Sequence, residues 1–581
     1  MVDYLAGLST PPTQTDLGAG ISYHAVRCAS NLARNSLTHA HLLDAGLLPL
    51  LCDALRTADV SHFAAADHQL TELVLCTILA VAALAKSAPS DVVAGGGHKR
   101  LLYFMKEQHE SVAQMYAAGG IRNLARHGDR TVANWRVHRE LVVNGAVDAL
   151  RAGMAKEASP QTRTFSVLAF GDLMTTGHHK AAIIRRWLEP AFRDFANLVN
   201  EKNAGIARTV YRTLTALFGG GGTDKRNGET PVLAPPALCA LLAKESGQII
   251  NGPVARGDLP ALKAVHAMCR DETLAQGMVD QGLLEVLVRG ASKGKGEYWE
   301  ESVAALGILA GWEKVQPLMA PRGALKAILA RPCLKHDGRW TVQFLANMAK
   351  SGNHQVEVAR GGLKVLSLSL VSKDEAARRD AARAFYNLSL GGVSRVMLGQ
   401  SGILGPLVRT ASSSVGDTRR FAIATLAKIS ESMEHTIKLV EADTISVMLQ
   451  AAKEDSRIAK DAAFCIATMS QMVEAHGSLA RSGAAAWLVE MLSKNGGRGP
   501  DAAETMQYAA LGICNLAYSA GVTRNALREN GALSVLTAIS ASTMGAPQTA
   551  MISKQALRNL KGNEKPGMLP VQRAGNEPLP A

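Results

Sequence analysis

Aromatic residues are scarce in this chain of 581 residues: Phe, Trp and Tyr make up 4% of it, although 47% of all residues are hydrophobic. The apolar content is therefore mostly Ala, Leu and Val. Small and aliphatic residues suit closely packed helices, whereas sheets favour aromatic and β-branched side chains. Because a single core stops growing well below this length, the composition favours several helical domains or a helical repeat array.

Closely spaced cysteines and long apolar runs are also missing. The eight cysteines form no C-x-x-C pair, which argues against a zinc site or a disulfide framework, so we expect small buried hydrophobes in a reducing compartment.

The longest uncharged apolar run, 73–85, is shorter than the ~20 residues of a membrane span. The first residues resemble no signal or transit peptide. We expect a cytoplasmic location, with nuclear, ciliary and organellar locations as alternatives.

Motifs for catalysis or cofactor binding do not occur. The sequence contains no G-x-S-x-G, no H-E-x-x-H and no G-x-x-x-x-G-K-[ST], and GGGGTDKR (219–226) is interpreted as a flexible loop. The pair His178–His179 is interpreted as part of a helix-ending turn rather than a metal site. We therefore predict a protein that is not an enzyme and that needs no cofactor or metal.

Basic residues exceed acidic ones without forming a dense cluster. Lys and Arg number 63 against 50 Asp and Glu, a net charge of +13, but no run of five or more Lys or Arg occurs. A moderate excess spread over a long chain is typical of a solvated surface. The sequence therefore argues against nucleic acid as a partner, because its binding favours a continuous basic stripe.

A repeat with a period near 40 residues is the strongest signal in the sequence. Turns followed by an apolar helix begin at intervals of 41, 38, 41, 41, 40 and 48 residues, and the insertion KNGGRGPD (494–501) explains the last interval. The turn residues are Gly282, Gly323, Gly361, Gly402, Asp443, Gly483 and Gly531. Such a period lies in the armadillo and HEAT range.

The clearest copy of the repeat is the stretch 360–390. Gly361 opens its predicted turn, and Ser372 is the predicted N-cap of its second helix. That helix places an apolar set three or four residues apart on one face: Ala377, Ala381, Ala384, Phe385 and Leu388. Two helices joined so tightly need similar neighbours on either side to bury both apolar faces.

The repeats predict five segments along the chain. An irregular lead-in (1–20) precedes N-terminal repeats (21–218), a Gly/Pro-rich loop (219–236) and C-terminal repeats (237–561). The last segment, 562–581, lacks apolar periodicity and is predicted to be a disordered tail.

The recurring motifs resemble those of armadillo repeats. The turn x-G-A/G-L-x-x-L is followed by a closing A-x-x-N-L-A/S, which stands in the sequence as ASNLA (29–33), FYNLS (385–389) and ICNLA (513–517). The resemblance implies an all-α, right-handed α-solenoid (superhelix) of about 11–12 repeats. It also implies that the third helix of each repeat lines a concave groove.

An asparagine recurs at one position of the third helix, in Asn31, Asn123, Asn347, Asn387, Asn515 and Asn559. In peptide-binding armadillo proteins an Asn at this position holds the backbone of an extended ligand, since an amide pairs with both N–H and C=O. The alternative is that these amides bond to the neighbouring repeat and stabilise the stack. The Trp that nuclear-import adaptors carry four residues before the Asn is missing, which argues against a nuclear-localisation-signal receptor.

Basic residues on the third helices form a second candidate feature. Arg379, Arg383, Arg420, Lys428 and Lys460 could line up along successive repeats and bind acidic peptide segments. Solvation and pairing with nearby carboxylates is the alternative. The predicted partner-binding groove combines these five residues with Asn347, Asn387 and Asn515.

The predicted function is that of a non-catalytic protein–protein interaction scaffold or adaptor. Its groove would hold an extended or helical segment of a partner, and acidic segments are among the candidates. A myosin-directed co-chaperone of the UCS type, a transport adaptor, and a structural subunit of a ciliary, cytoskeletal or organellar assembly stay open as alternatives. An RNA-binding solenoid is the least favoured, because its affinity would require a continuous basic groove. The oligomeric state is not predicted.

Overall fold

The computed structural model describes residues 17–57, 68–107, 111–126, 132–174, 181–219, 235–331, 338–494, 501–519, 521–541, 547–562 and 567–571. These residues form helices and turns and contain no β-strand. The all-α prediction is confirmed. Most of the lead-in 1–20 and of the loop 219–236, and the pair His178–His179, lie outside the described residues.

The chain divides into two compact units, Met1–Ala305 and Leu306–Ala581, with the division inside one helix. The first unit contains α1 (Leu17–Ala33), α2 (His39–Asp44), α3 (Leu47–Thr57), α4 (His68–Leu84), α5 (Pro89–Ala94), α6 (Gly97–Lys106), α7 (Ser111–Ala125), α8 (Val132–Val143), α9 (Ala146–Met154), α10 (Pro160–Met174), α11 (Ala181–Trp187), α12 (Phe192–Asn197), α13 (Ala204–Gly219), α14 (Pro236–Ile249), α15 (Leu259–Met268), α16 (Glu272–Asp280), α17 (Leu283–Lys293) and most of α18 (Gly296–Leu309). A π-helical turn, Ile250–Val254, continues α14. The predicted domain limits at 218 and 237 stay a prediction.

The second unit begins at Leu306, inside α18. It contains α19 (Gln316–Met319), α20 (Ala324–Ala330), α21 (Arg339–Met348), α22 (Gly352–Ser369), α23 (Glu375–Leu390), α24 (Gly392–Gln400), α25 (Leu404–Ser413), α26 (Gly416–Ile429), α27 (Met433–Glu441), α28 (Thr444–Glu454), α29 (Ala459–Met469), α30 (Val473–Arg481), α31 (Ala484–Ser493), α32 (Ala502–Leu516), α33 (Val522–Glu529), α34 (Ala532–Ala541) and α35 (Pro547–Lys561).

Most repeats consist of three helices with a left-handed residue between the first and the second. In α24–α26, for example, Gly402 has φ +75° and separates α24 from α25. Six of the seven predicted turn residues have positive φ, which Gly adopts at no steric cost. Asp443 is the one described residue other than Gly with positive φ, and its carboxylate accepts a hydrogen bond from Ser446 Oγ at 2.6 Å. The predicted repeat is therefore confirmed at these positions.

Gly361 is the exception, and the turn predicted there is wrong. It lies inside α22, which runs unbroken from Gly352 to Ser369 and fuses the first two helices of its repeat. A Cβ atom at Gly361 would lie 2.8 Å from Cδ1 of Leu329. The missing side chain thus makes room for a neighbouring leucine and does not serve a left-handed turn.

The N-cap of α23 also differs from the prediction. Asp374, not Ser372, is the N-cap, since its carboxylate accepts a hydrogen bond from the N–H of Ala376 at 2.9 Å. Ser372 Oγ accepts from the N–H of Asp374 at 3.2 Å and so supports the cap from two residues before it. Asp and Ser are about equally good caps, which is why composition alone did not separate them. The apolar face of α23 predicted from spacing is buried throughout.

Third helices of successive repeats pack side by side in the second unit. The row consists of α21, α23, α26, α29, α32 and α35, each in contact with the next. We call it the third-helix row. Large side chains such as Phe344, Phe385 and Phe464 fill it and are fully buried. This row fixes the positions of the candidate site residues.

Cysteines are free thiols wherever the structure describes them. Cys52, Cys239, Cys269, Cys465 and Cys514 are buried as predicted, whereas Cys28 is exposed and Cys76 is half-buried. Burial raises the pKa of Cys52 to about 11 and that of Cys465 and Cys514 to about 12. These thiols are therefore neutral at physiological pH and behave as small hydrophobes.

Replacing His476 by Gln is expected to make the second unit less sensitive to acid. Burial lowers the pKa of His476, although the Ser470 carbonyl and Glu474 raise it. Below about pH 6.5 the His476 imidazole binds a proton in the unfolded chain but stays neutral in the folded chain. The contribution of the neutral imidazole to stability is therefore fully present above that pH and is lost as the pH falls. We expect the drop in Tm between about pH 7.5 and about pH 5.5 to be about 2–4 °C smaller in His476→Gln.

Gln can replace one of the two hydrogen bonds of His476, whose Nδ1 also lies 2.7 Å from Ser519 Oγ. His476 Nε2 lies 2.7 Å from the Ser470 carbonyl oxygen, six residues earlier. Gln355 makes the equivalent bond, with Nε2 donating to the Ala349 carbonyl at 3.2 Å, also six residues earlier. Thermal unfolding at the two pH values checks the prediction. An unchanged drop in Tm would mean that His476 does not contribute to the acid sensitivity.

Candidate functional site

Four asparagines lie along the third-helix row: Asn347 on α21, Asn387 on α23, Asn515 on α32 and Asn559 on α35. We call these four the asparagine ladder. On α23 the neighbours Tyr386 and Leu388 are buried in the row, while Asn387 is half-buried at its edge. Packing of the apolar face of α23 therefore fixes the position and the direction of the Asn387 amide.

Three of these amides bond to the preceding repeat. The Nδ2 atoms of Asn347, Asn387 and Asn559 donate to the carbonyls of Gly307, Ala346 and Cys514 at 2.9, 3.0 and 2.9 Å. Ala346 directly precedes Asn347 and Cys514 directly precedes Asn515, so these bonds join consecutive ladder positions. In the first unit Asn123 makes the same bond to the Ala82 carbonyl at 2.8 Å. Stacking between repeats, one of the two roles considered for these residues, is therefore present.

Asn515 and Asn559 also bind a segment of the chain that lies outside the repeats. Asn559 Nδ2 donates to the Gly567 carbonyl at 2.8 Å, and Asn559 Oδ1 accepts from the Gly567 N–H at 3.1 Å. Asn515 Nδ2 donates to the Leu569 carbonyl at 3.1 Å and its Oδ1 accepts from the Leu569 N–H at 2.8 Å. Each amide thus holds both backbone groups of one residue.

The bound segment belongs to the predicted disordered tail 562–581. Residues 567–571 lie outside any helix, and the two residues held by the ladder are two apart in sequence. In an extended chain such residues face the same side and lie about 6.5–7 Å apart. This contact is not predictable from the sequence pattern, because 567–571 shows no helical periodicity. Its one signal is the short apolar run Met568–Leu569 between Pro566 and Pro570.

Asn559 shows that stacking and backbone binding use different atoms of one amide. A side-chain amide has two N–H donors and one acceptor oxygen with two lone pairs. Asn559 donates to the Cys514 carbonyl and to the Gly567 carbonyl, and its oxygen accepts from the Gly567 N–H. A ladder asparagine can therefore join two repeats and hold a peptide at the same time.

Asn347 and Asn387 form the other end of the ladder and differ in their surroundings. Asn347 Oδ1 accepts a hydrogen bond from Arg383 Nη2 at 3.0 Å, so Arg383 lies across it. Asn387 is half-buried, and within the described residues its side-chain amide makes one hydrogen bond, the stacking bond to Ala346. Asn387 is thus the ladder residue best placed to take a further backbone group.

The predicted basic residues of α23 are paired with one carboxylate. Arg383 Nη2 lies 3.2 Å and Arg379 Nη2 lies 4.0 Å from Asp380 Oδ1. Asp380 is buried; burial raises the pKa of its carboxyl, and the two guanidinium groups offset this only in part. Both cations are therefore engaged on their own helix.

The other three predicted basic residues also have acidic partners. Arg420 pairs with Asp417 at 3.3 Å, Lys428 with Glu431 at 2.8 Å and Lys460 with Asp501 at 2.7 Å. Lys428 occupies an Asn position of the row and is buried. Burial lowers the pKa of Lys460, but Asp501 and Glu504 raise it more, and the net shift is upward. These three cations lie on α26 and α29 of the third-helix row, each beside a carboxylate, and their alignment into a binding strip stays a prediction.

The described part of the chain has neither a cluster of metal ligands nor a membrane-spanning helix. In the described ranges, no group of three or more His, Cys, Asp or Glu side chains is arranged to hold a metal ion. None of the described helices combines the length and apolarity that a bilayer crossing requires.

No protein-family model and no curated protein matches the sequence. The chain is similar to a designed armadillo repeat protein. That likeness covers 41% of this chain and 98% of the designed protein, at 22% identity and a TM-score of 0.36. Two engineered proteins from a structural genomics consortium also align, one over 96% of this chain and 98% of its own (17% identity, TM-score 0.35). The second aligns over 48% and 96% (21% identity, TM-score 0.33).

Proposed function

We propose that the second unit is a non-catalytic scaffold whose asparagine ladder binds an extended segment of a partner protein through its backbone. The observation that carries the proposal is the pair of two-way amide contacts that Asn515 and Asn559 make to Leu569 and Gly567. They demonstrate within this chain the chemistry that a foreign segment would use. Asn387, whose half-buried amide makes one stacking bond, is a further position for such a contact.

The spacing of the ladder fits an extended ligand better than a helical one. Neighbouring packed helices lie about 8–10 Å apart, close to the advance of two residues in an extended chain, about 6.5–7 Å. Two ladder residues on neighbouring helices, such as Asn347 and Asn387, can therefore hold ligand residues that are two apart, with modest tilting of the ligand. A helix would hide its backbone N–H and C=O groups in its own hydrogen bonds.

Backbone recognition is a better basis for this proposal than charge. Each of the five predicted basic residues has a carboxylate within 4.0 Å, so an acidic ligand would first have to compete with those carboxylates. When a ligand carboxylate replaces the carboxylate of such a partly exposed ion pair, the gain in binding free energy is small. Acidic side chains of the ligand would thus adjust specificity, while the ladder amides would supply the affinity that all extended ligands share.

Asn387→Ala is expected to weaken peptide binding at least about tenfold, the loss that about 1.4 kcal/mol of hydrogen bonding implies. The probe is a displayed library of unstructured peptides of about 12 residues, about 40 Å long when extended, selected on the full-length protein. Dissociation constants of the selected peptides are then compared between the wild type and the variant by fluorescence anisotropy.

Asn123→Ala is the matched control. It loses the same stacking bond, to the Ala82 carbonyl at 2.8 Å, but in the first unit. We expect both variants to lose similar stability, about 1 kcal/mol, and the control to keep full affinity. Equal affinity of Asn387→Ala and wild type, or an equal loss in both variants, would contradict the proposed site.

A further inference from the structure

Residues 567–571 cover the last two positions of the asparagine ladder. Asn515 and Asn559 are 0% and 1% exposed, whereas Asn347 and Asn387 are half-buried. The difference coincides with the bound segment, whose backbone makes four hydrogen bonds to the two amides. The ladder positions that carry a peptide are thus filled by the chain itself.

We propose that residues 567–571 are an internal ligand that occupies Asn515 and Asn559, and that an extended segment of a partner protein reaches these two positions by displacing it. This inference rests on the proposed function, because it assigns the same ladder to an outside ligand. It adds a regulated state: part of the site is closed until the internal segment leaves.

The direction of the bound segment defines the partner further. Gly567 lies at Asn559 on α35 and Leu569 at Asn515 on α32, so the segment runs against the order of the repeats. A partner segment using the same contacts would run the same way. Asn387 lies three helices further along the row, beyond α26 and α29, so a ligand that runs the same way would reach it roughly seven to nine residues after its contact with Asn515.

The contact at Asn559 does not select for glycine. A Cβ atom at Gly567 would lie 3.5 Å from Gln555 Nε2, an ordinary van der Waals distance. Because Asn559 holds backbone groups only, residues with side chains would be accepted as well. The class of competing ligand is therefore an unstructured segment with free backbone N–H groups at alternate residues.

The covalent connection explains how so few contacts could close the site. The segment begins five residues after Gly562, the end of α35 and its following turn. Short flexible connections give effective concentrations on the order of millimolar. An outside peptide that binds the same two positions must compete with that concentration, so release of the tail should strengthen its binding about tenfold or more.

The test uses the full-length protein and a fluorescent peptide of the sequence KPGMLPVQR, which corresponds to residues 565–573. Gly567→Pro/Leu569→Pro removes both N–H donors of the internal segment without changing a helix. Met568→Pro is the matched control, because it stiffens the same segment and leaves both donors in place. We expect the double variant to bind the peptide at least about tenfold more tightly than the wild type and the control.

Two outcomes would overturn the proposal. Equal affinity of all three proteins for the peptide would mean that the tail does not occupy the site, and absence of binding to the double variant would mean that the tail is no ligand. In the double variant, Asn515→Ala should abolish the gained affinity. This substitution removes the two hydrogen bonds to Leu569, while the stacking bonds of Asn347, Asn387 and Asn559 stay.

Hydrogen exchange separates this proposal from the proposed function. In the wild type, a fragment covering 563–575 should retain two slowly exchanging amides, those of Gly567 and Leu569. Asn515→Ala should release the second of them, and fast exchange of both in the wild type would contradict the internal ligand. If both are slow and no library peptide binds, the tail contact stands and the proposed function fails. If library peptides bind tightly in a way that depends on Asn387, and the amides of Gly567 and Leu569 exchange fast, the proposed function stands and the internal ligand fails.

Discussion

Phe385→Ala is expected to lower the free energy of unfolding of the second unit by about 3–5 kcal/mol. Phe385 is fully buried in α23, which packs against α21 on one side and α26 on the other. Its loss removes apolar contact area and leaves a cavity that the flanking helices can fill only in part. Because Asn387 follows two residues later, the same change should also weaken peptide binding.

A urea titration of the variant, with hydrogen exchange of fragments from 375–429, would measure and localise this loss. Leu368→Ala is the control, since Leu368 is 49% exposed on α22 and its truncation should change stability by no more than about 0.5 kcal/mol. A loss below about 1 kcal/mol at Phe385 would mean that the third-helix row is not packed around this side chain.

Arg163→Leu is expected to destabilise the first unit by about 3 kcal/mol. Arg163 on α10 pairs with Glu201, and the two side chains are 9% and 16% exposed. Removing the guanidinium leaves a carboxylate with little access to water and no counter-ion, which costs more than the pair itself contributes. Thermal unfolding monitored by circular dichroism would detect the change as a lower Tm.

The double variant Arg163→Leu/Glu201→Leu tests the electrostatic cause. It should recover most of the lost stability, because a packed apolar pair often replaces a buried ion pair without loss. Burial raises the pKa of Glu201, but Arg163 and the Asn203 N–H lower it more, so its folded pKa lies below the ordinary value. The stabilisation by the Arg163–Glu201 pair is thus present above about pH 4.3 and is lost as the pH falls further. The loss of stability in Arg163→Leu should therefore become smaller at low pH. A deficit independent of pH would point to lost packing instead.

The repeat could be read from the sequence because it depends on local rules. Glycines at Gly323, Gly402 and Gly483 mark left-handed turns, and the spacing of apolar residues predicts the buried face of α23. Gly361 has the same sequence context but serves a different purpose, close contact with Leu329. That contact comes from another repeat, and a local pattern carries no information about it.

The candidate site could be predicted only as a set of positions. The recurring asparagines were found from their place in the motif, but one sequence cannot tell which amide atoms bond to a neighbouring repeat. The contact of Leu569 with Asn515 spans 54 residues and involves a segment without periodicity. The pairing of the basic residues depends on rotamers and on carboxylates of neighbouring helices, such as Asp501 for Lys460, which spacing does not reveal.

An N-methyl scan of a peptide selected on the full-length protein would test the central claim most directly. N-methylation removes one backbone N–H at a time and leaves every side chain in place. If the asparagine ladder holds an extended backbone, methylation at alternate residues should weaken binding about tenfold or more, and the residues between should tolerate it. Equal losses at all positions, or losses spaced every three to four residues as in a helix, would contradict the account.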